Sequence, residues 1–389
     1  MVKLLRLLSE AKAIIFSVTI LIAIIFVFSA NSFVRKDYKL KLTISSKPLH
    51  SIKDNESTKL RSINVKEERR RKFFQKKLQE LELSTSENGA QRFHGRILEF
   101  LDHKCEVQFF MIWISPLSSF SRREFLAMES LFKAHPNGCL IILSATMDSL
   151  EGSKILKPLT ERGFKVGAIK PHLQFLFDNT PAEKWIRDMM NGEKGSGRIP
   201  IAQNLSNLIR LAVIYKYGGV YLDTDLIILK SLMGLRNSIG AQSIHPVSKK
   251  WRRLNNAVLI FDRNHTLVYE FIQEFAETFN GNIWGHNGPY LVSRVAEKVA
   301  GKPEFNVTIM PPAAFYPVDW NGIGGFFKKP ESQTESRWVQ ETVLELTKGN
   351  SYGVHLWNKL SRRIGIEQGS VMAQLISHHC IICDYVYNL

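Results

Sequence analysis

From residue 106 onward the chain alternates short apolar runs with amphipathic stretches, and few folds satisfy that pattern. The runs VQFFMIWIS (residues 107–115), CLIILSA (139–145) and FKVGAIK (164–170) are rich in β-branched and aromatic side chains. Residues 122–132 and 150–162 between them carry apolar side chains at helical spacing. Strands separated by helices of this length return to one sheet in parallel, with the helices covering its faces. The reading is an α/β fold with a mostly parallel central sheet and a ligand crevice at its carboxyl edge. No internal repeat interrupts the series. With 389 residues, 44% of them hydrophobic and 23% charged, the chain can bury a large core, which excludes a disordered or fibrous protein.

Residues 13–30 (AIIFSVTILIAIIFVFSA) form a charge-free run of 18, just long enough to cross a bilayer core as a helix. Phe28 stands where a cleaved leader needs a small residue, which favours an uncleaved anchor. Lys3, Arg6 and Lys12 precede the run and Arg35, Lys36, Lys39 and Lys41 follow it, so flanking charge does not choose an orientation. Acceptor sequons do lean one way: Asn55, Asn204, Asn264 and Asn306 all follow the run, which points to a lumenal C-terminal portion. The expected organisation is a short tail (1–12), a transmembrane anchor (13–30), a polar stem with a charged helix at 67–77 (31–104) and one large α/β domain (105–389). Such a chain is expected to be a single-pass type II membrane protein.

The formal net charge is +16, and residues 1–90 carry +9 of it. No zinc-finger, basic-zipper or RNA-binding signature accompanies the charge, so no nucleic-acid partner is expected; an anionic membrane surface or a solvated stem accounts for it. Four cysteines are too few for a disulfide scaffold, and Cys380-Ile-Ile-Cys383 lacks the second pair that zinc would need. Cys105 and Cys139 either bridge in an oxidising compartment or remain buried thiols.

Residues 204–217 space Leu205, Leu208, Ile209, Ala212, Val213 and Tyr217 as one helical face, and Gly218-Gly219 stops that helix. Upstream, GEKGSG (192–197) reads as a flexible loop able to move over a site. After the two glycines comes VYLDTDLIIL (220–229), an apolar strand holding Asp223 and Asp225. Ionised carboxylates in such a strand are costly unless they meet a cation or a basic partner. Side chains two apart share one side of a strand, and a local bend lets both reach one hard divalent ion that neutralises a departing diphosphate.

An isolated Asp-x-Asp is common on solvated loops, and here its context gives it weight. NLSNLIRLAVIYKYGGVYLDTDLIILKSL resembles the DXD element of sugar-nucleotide glycosyltransferases. Asn255-Asn256-Ala257-Val258, Trp284 to Tyr290 (WGHNGPY), Phe315-Tyr316-Pro317 and His355-Leu356-Trp357-Asn358-Lys359 extend the resemblance over residues 105–389. As a set they are similar to the alpha-1,4-glycosyltransferase family, in its plant-type members related to lactosylceramide 4-alpha-galactosyltransferase. The resemblance implies a GT-A fold, a UDP-sugar donor, manganese or another divalent cation, a glycan or glycolipid acceptor, and hexose transfer with retention. The hexose it suggests is galactose or N-acetylglucosamine.

By the same resemblance, Asp223 and Asp225 are the metal residues, and His355 is a third ligand because related folds return a C-terminal histidine to the cation. Arg210 matches the family's basic residue on the preceding helix, whereas Asn207 follows Ser206 where the family often has Asp. Trp113, Ser115, Gly218, Gly219, Tyr221, Gly288 and Lys359 complete the expected donor-binding set. Asn256, His286 and Asn287 are candidate sugar or acceptor contacts, since amides and imidazole satisfy hydroxyls and a neighbouring glycine permits close approach. No carboxylate is assigned as a covalent nucleophile.

Two other readings share part of this pattern. A haloacid-type phosphohydrolase also ends a strand in Asp-x-Asp, but Ile227 stands where that class wants Thr or Val, and Gly218-Gly219 points away from it. A non-catalytic glycan-binding membrane protein could keep the fold. No Ser-His-Asp order, HExxH, Walker loop or GxGxxG occurs.

Overall fold

The apolar runs of the first half become neighbouring parallel strands joined by the amphipathic stretches. The structure, a computed structural model, describes residues 87–102 and 104–383. In chain order, α1 (Glu87–Phe100) leads to β1 (Gln108–Ile112), α2 (Arg122–Ala134), β2 (Cys139–Leu143), α3 (Leu150–Thr160) and β3 (Lys165–Ile169). Two helices, α4 (Leu173–Phe177) and α5 (Ala182–Met190), precede the long α6 (Ile201–Tyr217), which feeds β4 (Gly219–Leu222) and β5 (Leu226–Ile228). There follow β6 (Ser238–Ile244), β7 (Trp251–Phe261), α7 (Thr266–Thr278), α8 (Pro289–Lys298), β8 (Thr308–Met310) and α9 (Pro312–Phe315). The described chain closes with α10 (Gln333–Lys348), β9 (Gly353–His355), α11 (Asn358–Ser361) and α12 (Val371–His379).

The main sheet has the order β3-β2-β1-β4-β7-β6-β8, and only β7 runs antiparallel to its neighbours, β4 and β6. The mostly parallel α/β sheet expected from the sequence is therefore present. Alternation along the strands divides the core. Phe110, Ile112, Ile141 and Leu143 face the side covered by α6, α7 and α8, while Phe109, Met111, Leu140 and Ile142 face α2 and α3. A third cluster packs β5 and β9 against α10 and α12.

Helix α1 differs from the stem expected for residues 31–104. Phe93 and Ile97 are buried in the main core, and Arg96 makes two hydrogen bonds to Asp148 at 2.7 and 2.8 Å, so the compact domain begins upstream of residue 105. The anchor at 13–30, the charged segment at 67–77 and Asn55 lie outside the described residues. Among the described residues no helix is long and apolar enough to cross a membrane.

The loop at 192–197, expected to be flexible, is in contact with a neighbouring loop in this arrangement. A Cβ on Gly197 would stand 2.2 Å from the carbonyl carbon of Gly281, so the two loops meet backbone to backbone. Ile199 N–H donates to the Gly281 carbonyl (2.8 Å) and Lys194 Nζ reaches the Ala276 carbonyl (3.3 Å), which fastens the loop to the end of α7.

All four cysteines are paired, as Cys105–Cys139 and Cys380–Cys383. The first bridge ties the approach to β1 to the start of β2 across 34 residues of sequence. Replacing both Cys105 and Cys139 by serine is expected to lower unfolding stability by about 3–4 kcal/mol, from the loop-closure entropy returned to the unfolded chain. Equilibrium denaturant unfolding of the two forms checks it.

Candidate functional site

The run at 220–229 does not form one strand. Asp223 N–H donates to the Ala257 carbonyl (2.8 Å) as the last link to the main sheet, and Thr224-Asp225 turns the chain away. Leu226 then pairs with His355 in a separate two-stranded sheet, β5 with β9. The acid pair thus lies in the turn where two sheets part, at the carboxyl edge of β4. The bend needed for both carboxylates to reach one ion is supplied by this change of sheet, and the same change brings in His355 from 130 residues downstream.

Electrostatics fix Asp223. Its Oδ1 accepts from Arg210 Nη1 at 2.9 Å and from the Tyr221 hydroxyl at 2.6 Å, which leaves Oδ2 for a cation. Arg210 is buried on α6, stacked 4.6 Å from the Tyr221 ring centroid, and held by the Ser206 carbonyl, Ser206 Oγ and the Asn256 carbonyl. Burial opposes its charge, yet Asp223 and then Tyr221 outweigh that, and the guanidinium is held above its ordinary pKa. Burial, opposed by Arg210 and reinforced by Asp223, pushes the Tyr221 phenol well up, so it stays a donor. Tyr316, beside His355, is pushed up in the same way by burial first and Asp223 second.

Asp225 is gripped from the other sheet. Its Oδ2 accepts from Asn358 N–H (2.8 Å), its carbonyl from Leu356 N–H (2.8 Å), and His355 Nε2 stands 3.3 Å from Oδ1. One ligand atom each from Asp223, Asp225 and His355 lies within 4.8 Å of the others. Carboxylate oxygens with one imidazole nitrogen at this spacing fit a hard divalent cation such as manganese or magnesium.

Trp113 follows β1, whose register with β4 (Phe110↔Tyr221) puts its end beside the acid turn. Its indole packs edge-on to Phe120, and its Nε1 is buried without a partner among the described residues, as is Asn358 Oδ1. Two orphaned polar atoms near one edge suit a polar ligand there. Ser115 is exposed, with its carbonyl accepting from Thr146 Oγ1. Gly288 packs on Asn207, whose Oδ1 accepts from Asn256 Nδ2 (3.0 Å), so this asparagine braces the site through neutral hydrogen bonds.

Several expected residues are not brought to the acid pair. Gly218 and Gly219, both at positive φ, sit at the amino end of β4, where a Cβ would strike Arg263 N and the Gln108 carbonyl respectively. They serve the helix stop and close packing. Asn287 spends its amide on structure: Nδ2 donates to Asn204 Oδ1 and the Asn280 carbonyl, and Oδ1 accepts from Asn280 N–H. His286 Nε2 meets the Thr278 carbonyl (2.9 Å). The Asn287 amide is therefore committed to this loop, and so is one ring nitrogen of His286. Lys359 Nζ stands 3.1 Å from the Trp284 ring centroid.

Other participants were not legible in the sequence. Glu124, buried on α2, caps its own helix through Ser121 and accepts from Asn358 Nδ2 (3.3 Å), a contact spanning 234 positions. No local signal announces such a pair.

Residues 121–245 match the glycosyltransferase sugar-binding region containing the DXD motif, and residues 260–386 match the alpha 1,4-glycosyltransferase conserved region. Lactosylceramide 4-alpha-galactosyltransferase of Mus musculus is 32% identical over 65% of this chain and 68% of its own length. The chain belongs to the alpha-1,4-glycosyltransferase family. Within that family, human alpha-1,4-N-acetylglucosaminyltransferase is 26% identical over 53% of this chain and 57% of its own. An uncharacterized protein of Arabidopsis thaliana is 30% identical, and the match spans 44% of that longer protein. Among solved structures, galactosyltransferase LgtC, in complex with donor and acceptor sugar analogues, aligns with a TM-score of 0.39 at 13% identity, covering 70% of this chain and 95% of LgtC.

If Asp223, Asp225 and His355 hold a cation, manganese is expected to raise the thermal unfolding midpoint of the wild type, because a ligand that binds only the folded state stabilises it. The Asp223→Asn, Asp225→Asn double variant is expected to lose that shift. Thermal melts with and without manganese read the difference.

Proposed function

We propose that this chain is a divalent-cation-dependent, retaining glycosyltransferase of GT-A type that moves a hexose from a UDP-sugar to a hydroxyl of a glycan or glycolipid. The observation that carries the reading is the convergence of Asp223, Asp225 and His355 within 4.8 Å at the sheet's carboxyl edge. A buried Arg210 stands behind the first acid. The names of two relatives, a 4-alpha-galactosyltransferase and an alpha-1,4-N-acetylglucosaminyltransferase, support galactose or N-acetylglucosamine as the sugar.

In the proposed step the acceptor oxygen bonds to the anomeric carbon on the face that the diphosphate leaves. The bond from that carbon to the β-phosphate oxygen breaks, its electron pair departs with UDP, and the acceptor's proton passes to a phosphate oxygen of the leaving group. A bound cation would neutralise charge growing on the diphosphate. The chain's own part is positional. Arg210 and Tyr221 hold Asp223 in one orientation, the Asn358 amide and His355 do the same for Asp225, and Lys359 adds positive charge one residue beyond Asn358. A phosphohydrolase reading is not favoured, because the family match covers both halves of the domain and Asp223 Oδ1 already accepts two strong donors.

Release of UDP from UDP-galactose and UDP-N-acetylglucosamine, with and without manganese, tests the reading. Asp223→Asn or Asp225→Asn is expected to lower turnover more than about tenfold, equivalent to about 1.4 kcal/mol of lost transition-state stabilisation. Unaltered turnover in both variants overturns the assignment.

Placement as a type II Golgi membrane protein rests on the apolar run at 13–30, on two disulfides suited to an oxidising lumen, and on exposed sequons. Asn264 and Asn306 are exposed, whereas Asn204 is 3% exposed within α6 and accepts from Asn287. Glycosidase treatment is expected to shift the mobility of the expressed protein. Asn264→Gln and Asn306→Gln should each reduce the shift, and Asn204→Gln should leave it unchanged.

A further inference from the structure

The loop between α7 and α8 is built rigidly and ends in an exposed apolar tip. Asn287 closes it with three hydrogen bonds, two of them to Asn280 and one to Asn204 on α6. Asn282 Oδ1 accepts from Arg198 N–H (3.1 Å), and the Gly281 backbone packs directly on Gly197. His286 is tied to the Thr278 carbonyl. Despite this bracing, Ile283 and Trp284 remain 51% and 47% exposed. An indole costs little further entropy to hold and offers a large apolar face with one polar edge, so a fixed, exposed one is suited to binding.

Its place in the fold indicates what it binds. Lys359 reaches over the Trp284 ring, and Lys359 follows Asn358, whose amide holds Asp225. Trp284 is therefore linked, through Lys359 and Asn358, to the segment that holds Asp225. Sheet order separates it from the other wall. The orphaned Trp113 Nε1 belongs to the β1 side of the acid turn, while the Trp284 loop leads into α8, which packs on β7 through Ser293 Oγ and Leu254 N–H (2.9 Å). On the same side, Tyr290 is 37% exposed with the Arg253 guanidinium 4.5 Å from its ring centroid, which sets hydrogen-bonding groups beside the apolar face. An aromatic plane flanked by donors matches a pyranose, which carries C–H groups on a face and hydroxyls around its rim. In a galactopyranoside the C–H bonds at C3, C4 and C5 share one face, and stacking on that face leaves the axial O4 directed away from the indole.

We propose that Trp284 is the platform on which the pyranose ring of the acceptor stacks, on the opposite side of the acid turn from the nucleotide. This rests on the glycosyltransferase reading and adds the acceptor's position to it. The test measures UDP release from UDP-galactose with manganese, in water alone and over a range of lactose concentrations. Trp284→Ala is expected to raise the KM for lactose at least tenfold, and by a larger factor than it changes the KM for UDP-galactose. Trp284→Phe, which restores an aromatic face, should stay within about threefold of wild type, and Trp338→Ala, an exposed indole on α10, should change neither value. An unchanged lactose KM in Trp284→Ala overturns the proposal, as does a higher donor KM with lactose unaffected. If the wild type releases no UDP from any UDP-sugar, the donor reading fails by itself. Calorimetric titration of lactose then still decides the platform: binding that Trp284→Ala abolishes supports it, and binding that survives, or no binding to the wild type, overturns it.

Discussion

The ion pair between Arg210 and Asp223 governs the site. A guanidinium with 4% of its residue surface exposed is tolerable only with its donors satisfied and its charge answered. Ser206, the Asn256 carbonyl and Asp223 meet those demands from three segments: α6, β7 and the end of β4. The pair thereby locks the helix before the acid motif to the strand beside it. The Tyr221 hydroxyl completes the set, and because burial keeps that phenol protonated it adds a donor and no second negative charge.

From this fixed point the second acid is placed by topology. β4 continues the main sheet and β5 abandons it, so residues 223–225 turn between two sets of backbone partners. β9 pairs with β5 and returns His355 and the Asn358 amide to Asp225. The chemistry proposed for the site depends on this arrangement, since a continuous strand would hold both carboxylates but bring no third ligand. The braced loop carrying Trp284 belongs to the same logic: the Asn287 amide, which looked suited to a sugar, is consumed in holding the loop that presents the indole.

Bracing by neutral amides recurs around the helix. Asn207 accepts from Asn256, and Asn204 accepts from Asn287. A carboxylate at position 207 could accept the same bond from Asn256 but would add a charge near Asp223. The Asn204 sequon looks like any other in the sequence, yet its side chain is a buried bracing group whose Nδ2 has no partner among the described residues.

The sequence by itself determined the α/β alternation, the helix and glycine stop before the acid pair, and the family, because these follow from periodicity and from residues close together along the chain. It also singled out Asp223, Asp225, Arg210 and His355, the last two through the family resemblance. Only the tertiary structure decided that α1 belongs to the domain, that the glycine-rich loop at 192–197 is fastened, and that Gly218 and Gly219 lie at the far end of β4. It alone showed that the Asn287 amide is spent on the loop and that Trp284 stands half-exposed at its tip with Lys359 over its ring. These outcomes rest on contacts between segments tens to hundreds of positions apart, such as Asn204 with Asn287 and Asp225 with Asn358. The hydrogen-bonding capacity of an amide is visible in a sequence, but which partner takes it is set by what folding brings within 3 Å.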